Sequence, residues 1–141
     1  MAERTHSRTS NPVKRAKEVT ETIGAARTIT AKDSGKVFQL ITSGTDGAAI
    51  TLPAVAAGLN FTFVVGAAFA TTDWTIVSAT NVTEGNVIVA GAHVAGVNEN
   101  TVSFVATAES IGDYVQYISD GTSWFVSGSG VTTGSITFTA P

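Results

Sequence analysis

The residues best suited to chemistry fall in one stretch, Gly112 to Gly128, which reads GDYVQYISDGTSWFVSG and gathers two tyrosines, a tryptophan, a phenylalanine and two aspartates. Two carboxylates are the equipment of acid/base catalysis, and a set of rings is the equipment of a sugar-stacking surface. Asp113 and Asp120, however, stand at opposite ends of one extended run, roughly 23 Å apart. A glycosidase pair needs a separation of about 5 to 9.5 Å. No catalytic residue is assigned, and the chain reads as a non-enzyme. The rings have a bland use. YVQYIS and WFVSG are two alternating runs joined by Asp120-Gly121, a strong hairpin signal, and cross-strand pairing and core filling account for the aromatics. Carbohydrate stacking by Tyr114, Tyr117 and Trp124 is the alternative.

Other chemistry is thinly supplied. Cysteine is absent, which removes disulfides, thiolate catalysis and Cys-ligated zinc. His6 and His93 stand apart with no acid near His93, so His93 reads as a surface loop residue and no metal site or cofactor is expected. SGTDG and GSGVTTG lack the phosphate-loop pattern and read as turns. Two Asn-X-Thr triplets, at Asn60 and Asn81, are what a threonine-rich chain produces by chance.

Charge is the most uneven property of the chain. All eight Lys and Arg residues lie at or before Lys36; with four acids, residues 1–36 carry a net charge of +4, whereas the remainder has seven acids and no cation. A basic arm on an acidic body is the pattern of an interaction tail. The arm is placed at residues 1–26 and the β-domain at residues 27–141. Little in the arm is large enough to bury before Val13, which predicts a segment that orders on a partner, with a short helical turn within Val13 to Ala26. Its cations Arg4, Arg8, Lys14, Arg15 and Lys17 are the candidate attachment residues. Nucleic acid is not the expected partner, because the arm carries little charge and the acidic body opposes approach. No apolar run reaches the roughly 18 residues of a membrane helix, and the N-terminus lacks the apolar region of a secretory signal, so cytoplasmic synthesis is expected.

The elements that must position these groups are strands. From Thr28 onward Val, Ile, Thr and Phe alternate with turns of Gly, Asn and Asp. The expected strands are 27–31, 36–42, 48–52, 60–66, 73–79, 86–90, 101–108, 113–119, 123–127 and 135–139. This predicts an all-β fold: an antiparallel β-sandwich, jelly-roll-like, or a small barrel of about 8 to 10 short strands, with an extended N-terminal arm. Phe61, Phe63 and Phe104 are core candidates, and no internal repeat of fixed period is visible.

The segments DSGKVFQL, GAAITLPAVAAGLNFTFVVG and GDYVQYISDGTSWFVSG together resemble a pattern of small virion proteins of tailed bacteriophages and cyanophages. With its N-terminal arm, the whole chain resembles their capsid decoration, or cement, proteins. That resemblance implies a β-domain located on the virion exterior, bound to the major capsid protein at local threefold sites as a homotrimer. A head- or tail-fibre domain that touches host-surface glycan is the alternative.

Overall fold

The computed structural model describes residues 19–42 and 46–141. They form twelve strands: β1 Thr20–Ile23, β2 Arg27–Thr28, β3 Val37–Leu40, β4 Ala49–Thr51, β5 Asn60–Val65, β6 Trp74–Val77, β7 Thr83–Val89, β8 Ala92–Glu99, β9 Thr101–Phe104, β10 Tyr114–Ser119, β11 Trp124–Gly130 and β12 Ile136–Thr139. One 3₁₀ turn, Ala31–Asp33, is the sole helical element among the described residues. The strands make two packed sheets, one ordered β1-β3-β5-β10-β11-β7-β8 and the other β12-β9-β6-β4-β2. The fold is thus the expected two-sheet, all-β class.

Strand pairing departs from the antiparallel expectation. The chain crosses from one sheet to the other at each of its first six strands, so β1, β3 and β5 stack in parallel above β2, β4 and β6, also in parallel. Antiparallel pairs β7–β8, β10–β11, β5–β10, β6–β9 and β9–β12, with a parallel β7–β11 pair that joins the β7–β8 hairpin to the larger sheet, then close the body. The opening portion is three turns of a two-sheet roll. Unequal chain lengths hide that repeat from a fixed-period search: Thr20 is paired with Val37, but Val37 with Thr62.

Two strands were not expected. β1 lies inside the stretch assigned to a helical turn and to the arm, so the body begins before residue 27. Its four residues pair along all of β3, from Thr20 with Val37 to Ile23 with Leu40. Tertiary pairing has overridden a weak local helix preference. β8 follows a two-residue turn, Ala90-Gly91, in which both φ angles are positive, 50° and 80°. That conformation matches strand twist in a tight hairpin, yet alanine is not a residue that announces it. His93 accordingly lies on a strand rather than in a loop.

The core is read directly from alternation. Phe61, Phe63 and Phe104 are fully buried, as their period-two spacing predicts. A run of rings crosses the larger sheet: Phe38 stacks on Phe63 at 5.3 Å, Phe63 meets the edge of Tyr117 at 5.8 Å, and Tyr117 meets Trp124 at 6.0 Å. Offset and edge-on contacts of this kind add to the area these rings bury. The Tyr117 hydroxyl has no hydrogen-bond partner inside this cluster, and burial pushes the phenol well above its usual pKa. A buried hydroxyl without a partner costs desolvation and returns nothing. Tyr117→Phe is therefore expected to leave stability unchanged or raise it by about 1 kcal/mol, as read from urea unfolding; a clear loss would mean that the hydroxyl is satisfied in solution.

Candidate functional site

The arm cations Arg4, Arg8, Lys14, Arg15 and Lys17 lie outside the described residues. What the structure does describe is the place where the arm joins the body. Val19 accepts a hydrogen bond from the Val37 amide at 3.1 Å, and β1 then runs along the edge of the larger sheet. Glu21 sits in register with Phe38, on the row that faces inward. A carboxylate there needs a counter-charge, since a half-buried ion without one is costly.

Three side chains supply and balance it. Arg27 pairs with Glu21 and reaches Asp33 at 3.4 Å. Lys36 bridges the same two acids, at 2.9 Å to Glu21 and 2.6 Å to Asp33. The Arg27 guanidinium also lies 5.5 Å from the centroid of the Phe38 ring, a cation–π placement. The second Asp33 oxygen accepts bonds from the amide and hydroxyl of Thr30, both at 3.0 Å, which fix the 3₁₀ turn. Four charges from β1, β2 and the turn before β3 therefore lock the root of the arm to the body. The sequence held these residues, but a cluster spread over sixteen positions of chain has no linear spacing signature.

The lock titrates. The Lys36 ammonium bonded to its side chain, followed by the Thr30 amide, lowers Asp33 from its ordinary 3.8 to about 2. An acid with a depressed folded-state pKa stabilises the fold above its unfolded value, and that stabilisation is lost as pH falls through the folded one. The melting temperature is expected to drop between about pH 4 and pH 2, and Asp33→Asn is expected to lower it at pH 7 while flattening this acid limb. Calorimetric melting across that range checks both.

The ring set proposed for glycan contact does not assemble. Tyr117 and Trp124 are fully buried, whereas Tyr114, on the opposite face of β10, is 44% exposed. Period two separates them: Tyr114 looks outward, and Tyr117, an odd number of residues away, looks inward. The two aspartates of the same stretch serve turns. The exposed Asp120 carboxylate accepts bonds from the amides of Thr122 at 2.7 Å and Ser123 at 2.8 Å. Those amides, Ser123 first, hold its pKa below the ordinary value. The loop they shape has four residues, between the paired Ser119 and Trp124, rather than a two-residue turn.

Asp113 is almost wholly buried and ties two loops together, taking the Ser110 amide on one oxygen and the Val131 amide on the other, each at 3.0 Å. His93 is exposed, with Nδ1 3.1 Å from the side-chain oxygen of Asn86. Among the described residues no group of three or more His, Asp or Glu is arranged to hold a metal. No helix in that set is long and apolar enough to cross a membrane.

The geometry defines a mixed two-sheet β-domain whose first described strand, β1, is anchored by an ion cluster at a sheet edge. Comparison with family models, curated proteins and solved structures found no significant match.

Proposed function

We propose that the protein is a non-enzymatic structural component of a phage virion, one that binds the outer face of the head shell and reinforces it. Its partner is the major capsid protein, and the arm residues Arg4, Arg8, Lys14, Arg15 and Lys17 make the attachment. The observation that carries this reading is the Glu21–Arg27–Asp33–Lys36 lock, which ties β1, the strand that follows the basic arm in the chain, to the acidic body. A tether gains from such a root, because binding energy won along the arm is transmitted to the body instead of being lost in a loose hinge. Arms that order along a surface bind a large area without a large domain. In the homotrimer at local threefold sites that the resemblance implies, several arms acting together would add avidity.

The test is co-sedimentation with shells of the source virus that lack this protein, comparing the full chain with a chain that begins at Val19. The cut falls there because a cut at Ile23 would remove Glu21 and most of β1. Both forms are expected to melt at the same temperature, and only the full chain to saturate the shell. Equal binding by both would remove the arm from the mechanism, and binding by neither would remove the virion-shell reading itself.

A further inference from the structure

Among the described residues, the two large apolar side chains most exposed to solvent are Val131, at 72%, and Ile111, at 70%. They belong to different loops, 105–113 and 131–135, yet one carboxylate ties the two loops together. Asp113 accepts the Val131 amide and the amide of Ser110, the neighbour of Ile111, each at 3.0 Å. The hydroxyls of Ser110 and Thr132 meet at 3.4 Å. The 110–113 turn is closed by the Asp113 amide on the Ser110 carbonyl at 3.0 Å and continues through Gly112 at φ 99°, whose amide bonds Val65 at 2.9 Å. These bonds fix the backbone of both loops with Ile111 and Val131 facing solvent. Tyr114, two residues beyond Gly112, extends the apolar surface onto the face of β10.

The surroundings carry one sign of charge. Glu109, two residues before Ile111, bonds the Phe69 amide at 2.8 Å; Asp73 bonds the Ala106 amide at 2.8 Å; and Gly47, beside Asp46, bonds Thr72 at 2.8 Å. Glu109 thus lies two residues from Ile111, Asp73 holds the loop that leads to it, and the chain has no cation after Lys36. Of the three described Lys and Arg residues, Arg27 and Lys36 are held in the lock and Lys32 lies in the 3₁₀ turn beside it.

We propose that the clamped Ile111–Val131 tip is a preformed docking element that seats in an apolar pocket bordered by basic side chains on a protein partner, which, resting on the function proposed above, is the shell. Rigid apolar anchors are the residues that dominate protein interfaces, because their ordering cost is already met before binding. A negative surround steers them to a basic rim and away from anionic lipid. The tip adjoins the C-terminal ends of β3 and β5, whereas the arm leaves from the N-terminal end of β1, parallel to them. The eighteen residues before Val19 would span up to about 60 Å if extended, so arm and tip can engage one surface together.

The experiment measures shell binding by the full-length protein and by three full-length variants: Ile111→Ser with Val131→Ser, Ile111→Lys, and Ile111→Glu. All sites are exposed, so each variant is expected to keep the parent melting temperature. The double serine variant is expected to bind at least about tenfold more weakly, and Ile111→Lys to lose more than Ile111→Glu, because a basic rim repels the lysine. Parental affinity in the double variant overturns the docking tip alone. Equal losses for lysine and glutamate, or the reverse order, overturn the basic rim. Failure of the parent to bind shells overturns both this proposal and the function it rests on. A double variant that binds shells normally but changes the mass of the free protein, or loses binding to zwitterionic vesicles, would reassign the tip to a second copy or to lipid.

Discussion

Trp124→Ala is expected to destabilise the domain by about 3–5 kcal/mol, the largest effect of any single substitution considered. Trp124 is fully buried and touches Phe61 at 5.6 Å and Tyr117 at 6.0 Å between ring centroids. Removing the indole deletes the last ring in the row that runs from β3 to β11, and strands on both sides hold the backbone so that the hole cannot close fully. A domain of this size has a total stability of about 5–15 kcal/mol, so the variant should unfold at much lower urea or fail to accumulate. Trp124→Phe should cost considerably less. It fills most of the volume and removes an indole N–H that has no partner. A Trp124→Ala protein with parental unfolding midpoint would place the indole at the surface and restore the glycan-contact reading. Urea titration followed by far-ultraviolet circular dichroism gives the answer without relying on the tryptophan signal being removed.

Asp113→Asn is expected to cost about 2–4 kcal/mol, despite being nearly isosteric. The carboxylate offers two acceptors to two backbone donors on separate loops. An asparagine keeps one acceptor and turns its amide N–H₂ toward the other donor, so one buried N–H is left facing another. Asp113→Ala removes both acceptors and should cost at least as much. Hydrogen exchange distinguishes this from a general loss of stability: the Ser110 and Val131 amides should exchange faster than the core amides of β10, and the Ile111–Val131 tip should lose its fixed shape. If those two amides stay as protected as β10, the clamp is not what orders the loops.

How much of this was legible in the sequence differs from element to element. β5 and β10 were fixed by alternation alone, since Phe61, Phe63 and Val65, or Val115 and Tyr117, can share a face only in an extended chain. β8 was not legible, because AHVAGVNE has no clear alternation and its turn uses alanine at positive φ. β1 was misread because TETI is as compatible with a helical turn as with a strand, and only pairing with β3 decides between them. The same limit applies to sites. The sequence contained Tyr114, Tyr117 and Trp124 within eleven positions of one another, but their facing depends on which side of the sheet meets the second sheet.

By itself, then, the sequence determined that the body is built of strands, that it has no thiol chemistry, and that its positive charge is confined to the N-terminal part. These are properties of composition and short-range period, which a linear chain carries openly. Only the tertiary structure decided that the first six strands wind as a parallel two-sheet roll, that Glu21, Arg27, Asp33 and Lys36 meet at the arm root, and that Asp113 ties together the loops that carry Ile111 and Val131. Each of those depends on contacts between residues far apart in the chain, where pairing register and burial, rather than local preference, set the free energy.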